Sequence, residues 1–399
     1  MIRKSKNIGH LLEARFAATF FGNPASNMVV IGVTGTDGKT TTSSLIYHIL
    51  EKTGKKTALI NTLGVKIGSQ TIETGLHTTT PSSFYLQKYI KKAYDAGVKY
   101  LVIEATSHAL DQNRVSGIPF EIGVLTNITH DHLDYHITHE KYLQSKLKLF
   151  KMSKNCVLNK DDKSYEILKE SLVDKKIYTY STENRDAETK ISDIKFDWDD
   201  IASFNRENYL AAITACKILG IAVDDIVLAL GSFVLPEGRQ EKVYDNGFEV
   251  IIDFAHTPNA FEEVLEDIKR KTKGRVIHVF GAAGGRDKLK RPIMGGISAR
   301  FADVLILTAE DPRHERIREI NREIKQGIRV KKEVMEIDDR QEAIESAIKI
   351  AKKGDTVLIT GKGHEKSNNL GGEEFSWSDH EVVKNAIEKK RDLKIARIS

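Results

Sequence analysis

Between Met28 and Thr42 the sequence reads Met-Val-Val-Ile-Gly-Val-Thr-Gly-Thr-Asp-Gly-Lys-Thr-Thr-Thr, and no other stretch restricts the fold as much. The apolar run from Met28 to Val33 suits a strand buried on both faces, the kind found in parallel sheets. Gly32, Gly35 and Gly38 break it, Lys39 and Thr40 follow, and Leu45, Ile46, Ile49 and Leu50 form the apolar face of a helix. Strand, glycine-rich turn, Lys-Thr and helix together make a phosphate-binding loop. Glycines let backbone N–H groups close on phosphate oxygens, the helix N-terminus adds partial positive charge, Lys39 adds a full one, and the Thr40 hydroxyl can ligate Mg²⁺. The spacing is one residue off the strict G-x-x-x-x-G-K-[ST] form, because Val33 stands where the first glycine belongs. A βα turn without ligand is the other reading, and Lys-Thr at the helix start weighs against it.

A chain of 399 residues can form two or three domains, each with its own core. It is 40% hydrophobic and 29% charged, the balance of a globular chain. A net charge of +5 against 61 basic and 56 acidic residues is too small an excess to indicate nucleic acid. Cys156 and Cys216 lack metal-ligand spacing and read as buried thiols in a reducing, cytoplasmic setting. No apolar run approaches the ~20 residues of a membrane span. Near the start, Arg3, Lys4 and Lys6 precede an apolar stretch, Ile8 to Phe21, that Glu13 and Arg15 interrupt, and no small-residue cleavage site follows. Leu11, Leu12, Phe16, Phe20 and Phe21 can share one helical face. A helix packed on the first domain is favoured over a basic amphipathic helix in weak contact with a membrane surface at residues 8–21.

Further βα units follow. Thr57–Ile60, Tyr100–Ile103, Val124–Leu125, Val157–Leu158 and Ile177–Tyr180 read as strands, and 84–96, 140–150, 205–219 and 224–230 as helices. The third strand ends at Glu104, and a carboxylate at the carboxyl end of a parallel strand, facing a phosphate loop, can hold Mg²⁺. The stretch from Thr126 to His136 crowds histidines and aspartates; the spacing is not that of an H-E-x-x-H zinc helix, and a polar loop beside Mg-phosphate fits better. Residues 181–200 read as a polar surface excursion and Pro236–Arg239 as a linker. Beyond it, strands at Phe248–Ile252, Val276–Phe280, Val304–Leu307 and Thr356–Ile359 each lead into a polar loop, where open α/β sheets bind ligands. The expectation is α/β throughout. A helical segment, 1–27, precedes a central phosphate-loop, parallel-sheet ATPase domain, 28–234, and a Rossmann-like α/β domain, 235–399.

Taken in order, these loops resemble the Mur ligases, ATP-dependent amide-forming enzymes that build the peptidoglycan stem peptide. The similarity rests on Gly32 to Thr41, the off-by-one spacing included, on Glu104-Ala-Thr-Ser-His-Ala-Leu, and on Thr126-Asn127 with Asp131-His132-Leu133-Asp134-Tyr135-His136. It continues through Lys146–Phe150, Phe204-Asn205 with Asn208, Gly238-Arg239 and Asp253-Phe-Ala-His-Thr-Pro. Gly284-Gly-Arg-Asp with Lys290-Arg291-Pro292, and Gly361-Lys-Gly-His-Glu, complete it. The match runs from about Met28 to the end and is nearest to the members that add the third stem residue.

The resemblance implies roles. Gly35, Thr36, Asp37, Gly38, Lys39, Thr40 and Thr41 would hold the ATP phosphates, Asn205 and Asn208 would lie near adenine, and Arg239 and Asp253 near phosphate and ribose. Thr40, Glu104, His132 and Lys146 would hold two Mg²⁺ ions, Lys146 as a carbamate formed with CO₂ on an exposed polar helix position. A bare ammonium repels Mg²⁺, whereas a carbamate is an anion that can ligate it. Lys39, Lys146, His132 and Arg239 would be the catalytic set. Thr79, Thr80, Thr106, Gln112 and Arg114 would grip a muramoyl-dipeptide-like donor, and Arg286, Glu310, Asp311, Arg313, Gly361 and Glu365 the amino-acid acceptor. The family's Asp-Asn-Pro-Arg becomes Glu310-Asp311-Pro312-Arg313, in which the arginine marks users of meso-diaminopimelate and Asp311 adds a repulsive charge. Surface pairing of Arg313 with Asp311 or Glu315 is the alternative. The resembling enzymes carry a uridine-nucleotide-binding domain ahead of the ATP loop, where this sequence has residues 1–27, so little affinity is expected from a donor's UDP. A monomer is expected. The competing activities are a folylpolyglutamate- or poly-amino-acid-type ligase and a nucleotide-gated binding protein.

Overall fold

The computed structural model describes residues 2–75, 79–129, 131, 133–183 and 186–395. Its contacts divide the chain into two compact units, one of residues 1–129 and 135–234 and one of residues 235–399 with the short stretch 130–134. The first carries β1 (Val29–Thr34), β2 (Thr57–Asn61), β3 (Gly64–Ile67), β4 (Gln70–Ile72), β5 (Tyr100–Glu104), β6 (Phe120–Leu125), β7 (Ser153–Asn159), β8 (Lys176–Ser181) and β9 (Thr189–Lys190). They form one sheet in the order β4-β3-β2-β5-β1-β6-β7-β8-β9, parallel from β2 to β9 with β3 and β4 an antiparallel edge. β1 lies between β5 and β6, with Val33 paired to Glu104 and Thr34 to Leu125. That register ends the three strands together, so their following loops emerge side by side at the point where the strand order reverses, the usual ligand site of such sheets.

The β1 side chains alternate between two cores, as an interior strand requires. Ile31 and Val33 join Leu45, Ile46, Ile49 and Leu50 of α2 (Lys39–Lys52, following α1, Ile2–Phe20), while Val30 joins Leu86 and Ile90 of α3 (Ser83–Asp95) on the other face. α1 does pack on this unit, and only part of its large-residue face takes part: Leu11 and Phe21 are half-buried, and the Phe20 and Phe21 rings lie 5.9 and 5.1 Å from that of Phe84. Ala14, Ala17 and Ala18 are buried, whereas Leu12, Phe16 and Phe20 stay 63–65% exposed. Small side chains let the helix approach closely, and Leu12 and Phe16 are left outside. The stretch 181–200 is not a surface excursion either: Ala187, Ile194 and Trp198 are buried, and β9 extends the sheet. Among the described residues no helix is long and apolar enough to cross a membrane, and Cys156 and Cys216 are both free and buried.

In the second unit β10 (Glu241–Asp245), β11 (Glu249–Asp253), β12 (Val276–Phe280), β13 (Val304–Leu307), β14 (Glu333–Glu336) and β15 (Thr356–Thr360) lie in the order β10-β11-β15-β12-β13-β14. Only β10 is antiparallel to its neighbour. β15, late in the chain, slots between β11 and β12, which brings the Gly361–Glu365 loop between the 254–258 and 281–287 loops. A hairpin of β16 (Ser367–Leu370) and β17 (Glu373–Ser376) follows.

Candidate active site

The loop after β1 is built as the spacing predicts. Gly38 caps α2 with φ +78°, and a Cβ there would stand 2.0 Å from Asn208 Oδ1, so the position needs glycine for both conformation and space. The loop is tied to its neighbour after β6: Thr36 N–H donates to Asn127 O at 2.8 Å and Asp37 N–H to Asn127 Oδ1 at 2.9 Å, while Thr126 Oγ1 donates to Asp37 O at 2.6 Å. The Lys39 ammonium folds back to Thr36 O at 2.7 Å. Thr40, Thr41 and Thr42 are buried in the first turn of α2, whose N-terminus carries the positive end of the helix dipole. Asn205 and Asn208 lie against this loop. Asn208 Oδ1 accepts from Thr42 Oγ1 at 3.2 Å, and its amide donates to Asn205 Oδ1 at 3.1 Å.

Glu104, at the end of β5, is 1% exposed and faces the loop. Thr40 Oγ1 reaches both its oxygens, at 3.2 and 3.0 Å, and Thr62 donates to Oε2 through N–H at 3.2 Å and Oγ1 at 3.1 Å. A carboxylate and two hydroxyls are hard oxygen donors of the type Mg²⁺ takes. The described residues contain no group of three or more His, Cys, Asp or Glu arranged to hold a metal alone. His132 lies outside the described residues. Lys146 corrects the expectation of an exposed position: it is 1% exposed, donates to Gly35 O, and stands 4.4 Å from the Tyr142 ring centroid. Tyr142 in turn bonds Thr36 Oγ1 at 3.0 Å. Neither Tyr142 nor Thr62 was legible as a site residue, since a lone tyrosine or threonine carries no spacing signal.

The donor candidates form one cluster at the end of β5. Thr80 Oγ1 donates to Glu104 O at 2.9 Å and lies 3.4 Å from Thr106 Oγ1, and Thr79 Oγ1 accepts from Thr62 at 3.0 Å. The Arg114 guanidinium donates to Thr80 O at 2.8 Å and twice to Gln112 Oε1, at 2.9 and 2.7 Å. Gln112 donates onward to Tyr135 Oη at 3.2 Å.

In the second unit, Arg239 stacks over Phe254, 4.6 Å from its centroid, and His364 Nδ1 lies 3.4 Å from its guanidinium. Burial, with the Arg239 charge, pushes the His364 pKa down to about 3, so it stays neutral. Asp253 Oδ2 accepts from Gln240 N–H at 2.7 Å and Oδ1 from Ala255 N–H at 2.6 Å, which fixes the turn after β11.

The acceptor candidates meet where β12, β13 and β15 end. Glu310 is buried, and its Oε2 has no hydrogen-bond partner; a Cβ on Gly361, whose φ is +102°, would stand 2.5 Å from it. Burial raises the Glu310 pKa to about 7, against the cations Lys290, Arg340 and Lys362. Asp311 is not left as a bare repulsive charge: Lys362 Nζ lies 2.7 Å from its Oδ1, and Asn369 N–H donates to the same oxygen at 2.9 Å. Nor does Arg313 pair with Asp311 or Glu315. Its Nη1 donates to Gly284 O at 2.9 Å, and Glu315 is taken by Arg291 and Lys288. The Arg291 hydrogen bonds hold the Glu315 pKa down at about 2. Asp311 and Arg313 flank Pro312 at φ +44° and +52°, a strained loop of the kind found at ligand clamps. Glu365 lies 2.6 Å from Lys362, and Arg286 is exposed on the 281–287 loop.

A phosphate loop whose threonine is held to a carboxylate at the end of the neighbouring strand has the build of a nucleoside-triphosphate site. Comparison with known proteins narrows the class. Residues 33–218 match the model of the Mur ligase middle domain, and residues 238–363 that of the Mur ligase glutamate ligase domain. The UDP-N-acetylmuramoyl-L-alanyl-D-glutamate–2,6-diaminopimelate ligase of Aquifex aeolicus is 41% identical over 387 residues, covering 93% of this chain and 80% of its own. A solved structure of an enzyme of that name is 32% identical, covers 91% of this chain and 79% of that one, and superposes with a TM-score of 0.62. The folylpolyglutamate synthase of Mycobacterium tuberculosis, 15% identical with a TM-score of 0.71 over 89% of this chain and 96% of that one, shares the fold. This chain belongs to the Mur ligase family and is an ATP-dependent ligase that forms amide bonds.

Proposed function

We propose that the chain joins meso-diaminopimelate to the free carboxylate of a UDP-N-acetylmuramoyl-dipeptide-like donor, as a cytoplasmic monomer in peptidoglycan precursor synthesis. The observation that carries this reading is Arg313, on a chain 41% identical to a ligase named for that acceptor. Its guanidinium is oriented by Gly284 O and engaged by neither nearby carboxylate, which leaves it able to grip an acceptor carboxylate through parallel hydrogen bonds.

The γ-phosphoryl group of ATP passes to the donor carboxylate, giving an acyl phosphate and ADP. The acceptor amine then attacks the acyl carbon, and phosphate leaves. Lys39 and the α2 N-terminus offset the charge on the transferred group. Thr40 and Glu104 would hold Mg²⁺, which supplies charge neutralisation on the phosphates; His132 and Lys146 as its carbamate would serve a second ion. Gly35 to Thr41, Asn205, Asn208, Arg239 and Asp253 bind ATP. The Thr79, Thr80, Thr106, Gln112 and Arg114 cluster orients the donor. Arg286 and Arg313 take the acceptor carboxylates, and Glu310, Gly361 and Glu365 its distal amine.

Amine-dependent phosphate release, screened over muramoyl-dipeptide, folyl and peptidyl donors with meso-diaminopimelate or L-lysine, tests the assignment. Label from an ¹⁸O-carboxylate donor should appear in phosphate. Phosphate without label excludes the acyl phosphate, and equal turnover of the two amines excludes the acceptor assignment.

A further inference from the structure

Lys362 belongs to none of the roles above, yet it is a fully enclosed cation at the acceptor loops. It is 0% exposed, and its ammonium lies 2.7 Å from Asp311 Oδ1 and 2.6 Å from Glu365 Oε2. Those carboxylates come from two loops, one after β13 and one after β15. Neither loop depends on the Lys362 side chain for its backbone path: Asn369 N–H donates to Asp311 Oδ1 at 2.9 Å, and the Glu365 backbone N–H donates to the Lys362 backbone carbonyl at 2.9 Å. The ammonium therefore does more than link two loops that backbone bonds already shape. It sets the net charge between Asp311 and Glu365. Lys290 and Arg340 also lie near buried Glu310, so losing the Lys362 charge shifts these loops one unit toward negative, against an acceptor that brings a further carboxylate.

We propose that Lys362 is a positioning and charge-setting residue for the acceptor: by holding Asp311 and Glu365 together it lets the site accept an amino acid with a distal carboxylate. The inference rests on the acceptor assignment made above. Diaminopimelate differs from L-lysine by that one carboxylate, so the ratio of kcat/KM for the two amines reports the charge directly. Removing the cation must lower the ratio, and removing the Asp311 charge must raise it, because the electrostatic contribution changes sign with the group deleted.

The test measures kcat and KM for both amines, and KM for ATP, in wild type, Lys362→Met, Lys362→Arg, Asp311→Asn and the Lys362→Met/Asp311→Asn double variant. The expected result is a tenfold or greater fall in the diaminopimelate-to-lysine ratio for Lys362→Met and a severalfold rise for Asp311→Asn. The double variant and Lys362→Arg should return toward wild type, with KM for ATP unchanged throughout. Damage to folding alone would slow both amines together and leave the ratio where it was. Should Lys362→Met fail to fold, Asp311→Asn still decides: a ratio unchanged or lowered overturns the proposal. Wild-type enzyme that ligates neither amine defeats the acceptor assignment and this inference with it, whereas normal wild-type preference with unmoved ratios defeats this inference alone.

Discussion

Asp379→Ala should cost the second unit much of its stability, for a reason that can be worked through group by group. Arg340 and Asp379 are each no more than 1% exposed and form a bidentate pair, Nε to Oδ1 and Nη2 to Oδ2, both at 2.8 Å. The same guanidinium donates to Thr360 O at 2.9 Å and Ala309 O at 3.3 Å, the residues just before Gly361 and Glu310. Trp377 Nε1 donates to Asp379 Oδ1 at 2.8 Å. Arginine cannot discharge by losing a proton, so removing Asp379 leaves a buried, uncompensated charge, a loss of about 3–5 kcal/mol. The stranded indole N–H adds roughly 1 kcal/mol. At about 2–4 °C per kcal/mol for a unit of this size, its melting should fall by roughly 8–24 °C. Urea unfolding of the full chain, followed by fluorescence and calorimetry so that the two units' transitions are separated, measures it. Replacing both partners, Arg340→Met with Asp379→Leu, should recover most of the loss, because an apolar pair needs no compensation. It should still raise acceptor KM, since the Ala309 and Thr360 carbonyls lose their shared anchor. A single-variant loss under about 1 kcal/mol, or a double variant as unstable as the single, would refute the argument.

Thr40→Ala removes the hydroxyl that touches both Glu104 oxygens, and should raise the Mg²⁺ concentration for half-maximal activity at least tenfold with little change in melting; an unchanged Mg²⁺ profile counts against the site. Lys146→Ala should abolish ligation, and because Lys146 is buried it should also lower the melting temperature of the first unit, which an exposed lysine would not do. Full activity in bicarbonate-free buffer would remove the carbamate from the mechanism. Burial lifts the Glu207 pKa to about 7, above its usual value of 4.5, so the folded state holds its proton more tightly than the unfolded one. The stability this contributes is present below about pH 4.5 and is lost as pH rises through about 7. Glu207→Gln should therefore be more stable than wild type at pH 8 and no more stable at pH 4.5; an equal gain at both would show that desolvation is not the cause.

The phosphate loop, the strand ending at Glu104 and the polar loops after each later strand were all readable along the chain, because local periodicity and glycine spacing encode them within a few residues. The edge strands β10 and β14 were not, since Glu-Lys-Val-Tyr-Asp and Glu-Val-Met-Glu carry too little apolar pattern to stand out from loops. In α1 the pattern showed an apolar face but could not say which of its large residues stay outside, and the close fit of small residues decided it. Lys146 illustrates the same limit at the site: helical spacing marks it as one more polar residue, whereas in the fold it is buried and donates to Gly35 O, 111 positions away. The charge state of the acceptor loops lies furthest from the linear chain. Asp311 read alone is a repulsive substitution; its partner Lys362 stands 51 positions away, in the loop after a strand that inserts between two earlier ones. Sequence by itself determined the class of fold and the family, because the motifs and periodicity that carry both are written within single βα units. Which charges pair with which was decided by the tertiary structure, because electrostatic pairing depends on distance in space and on the burial that strengthens it.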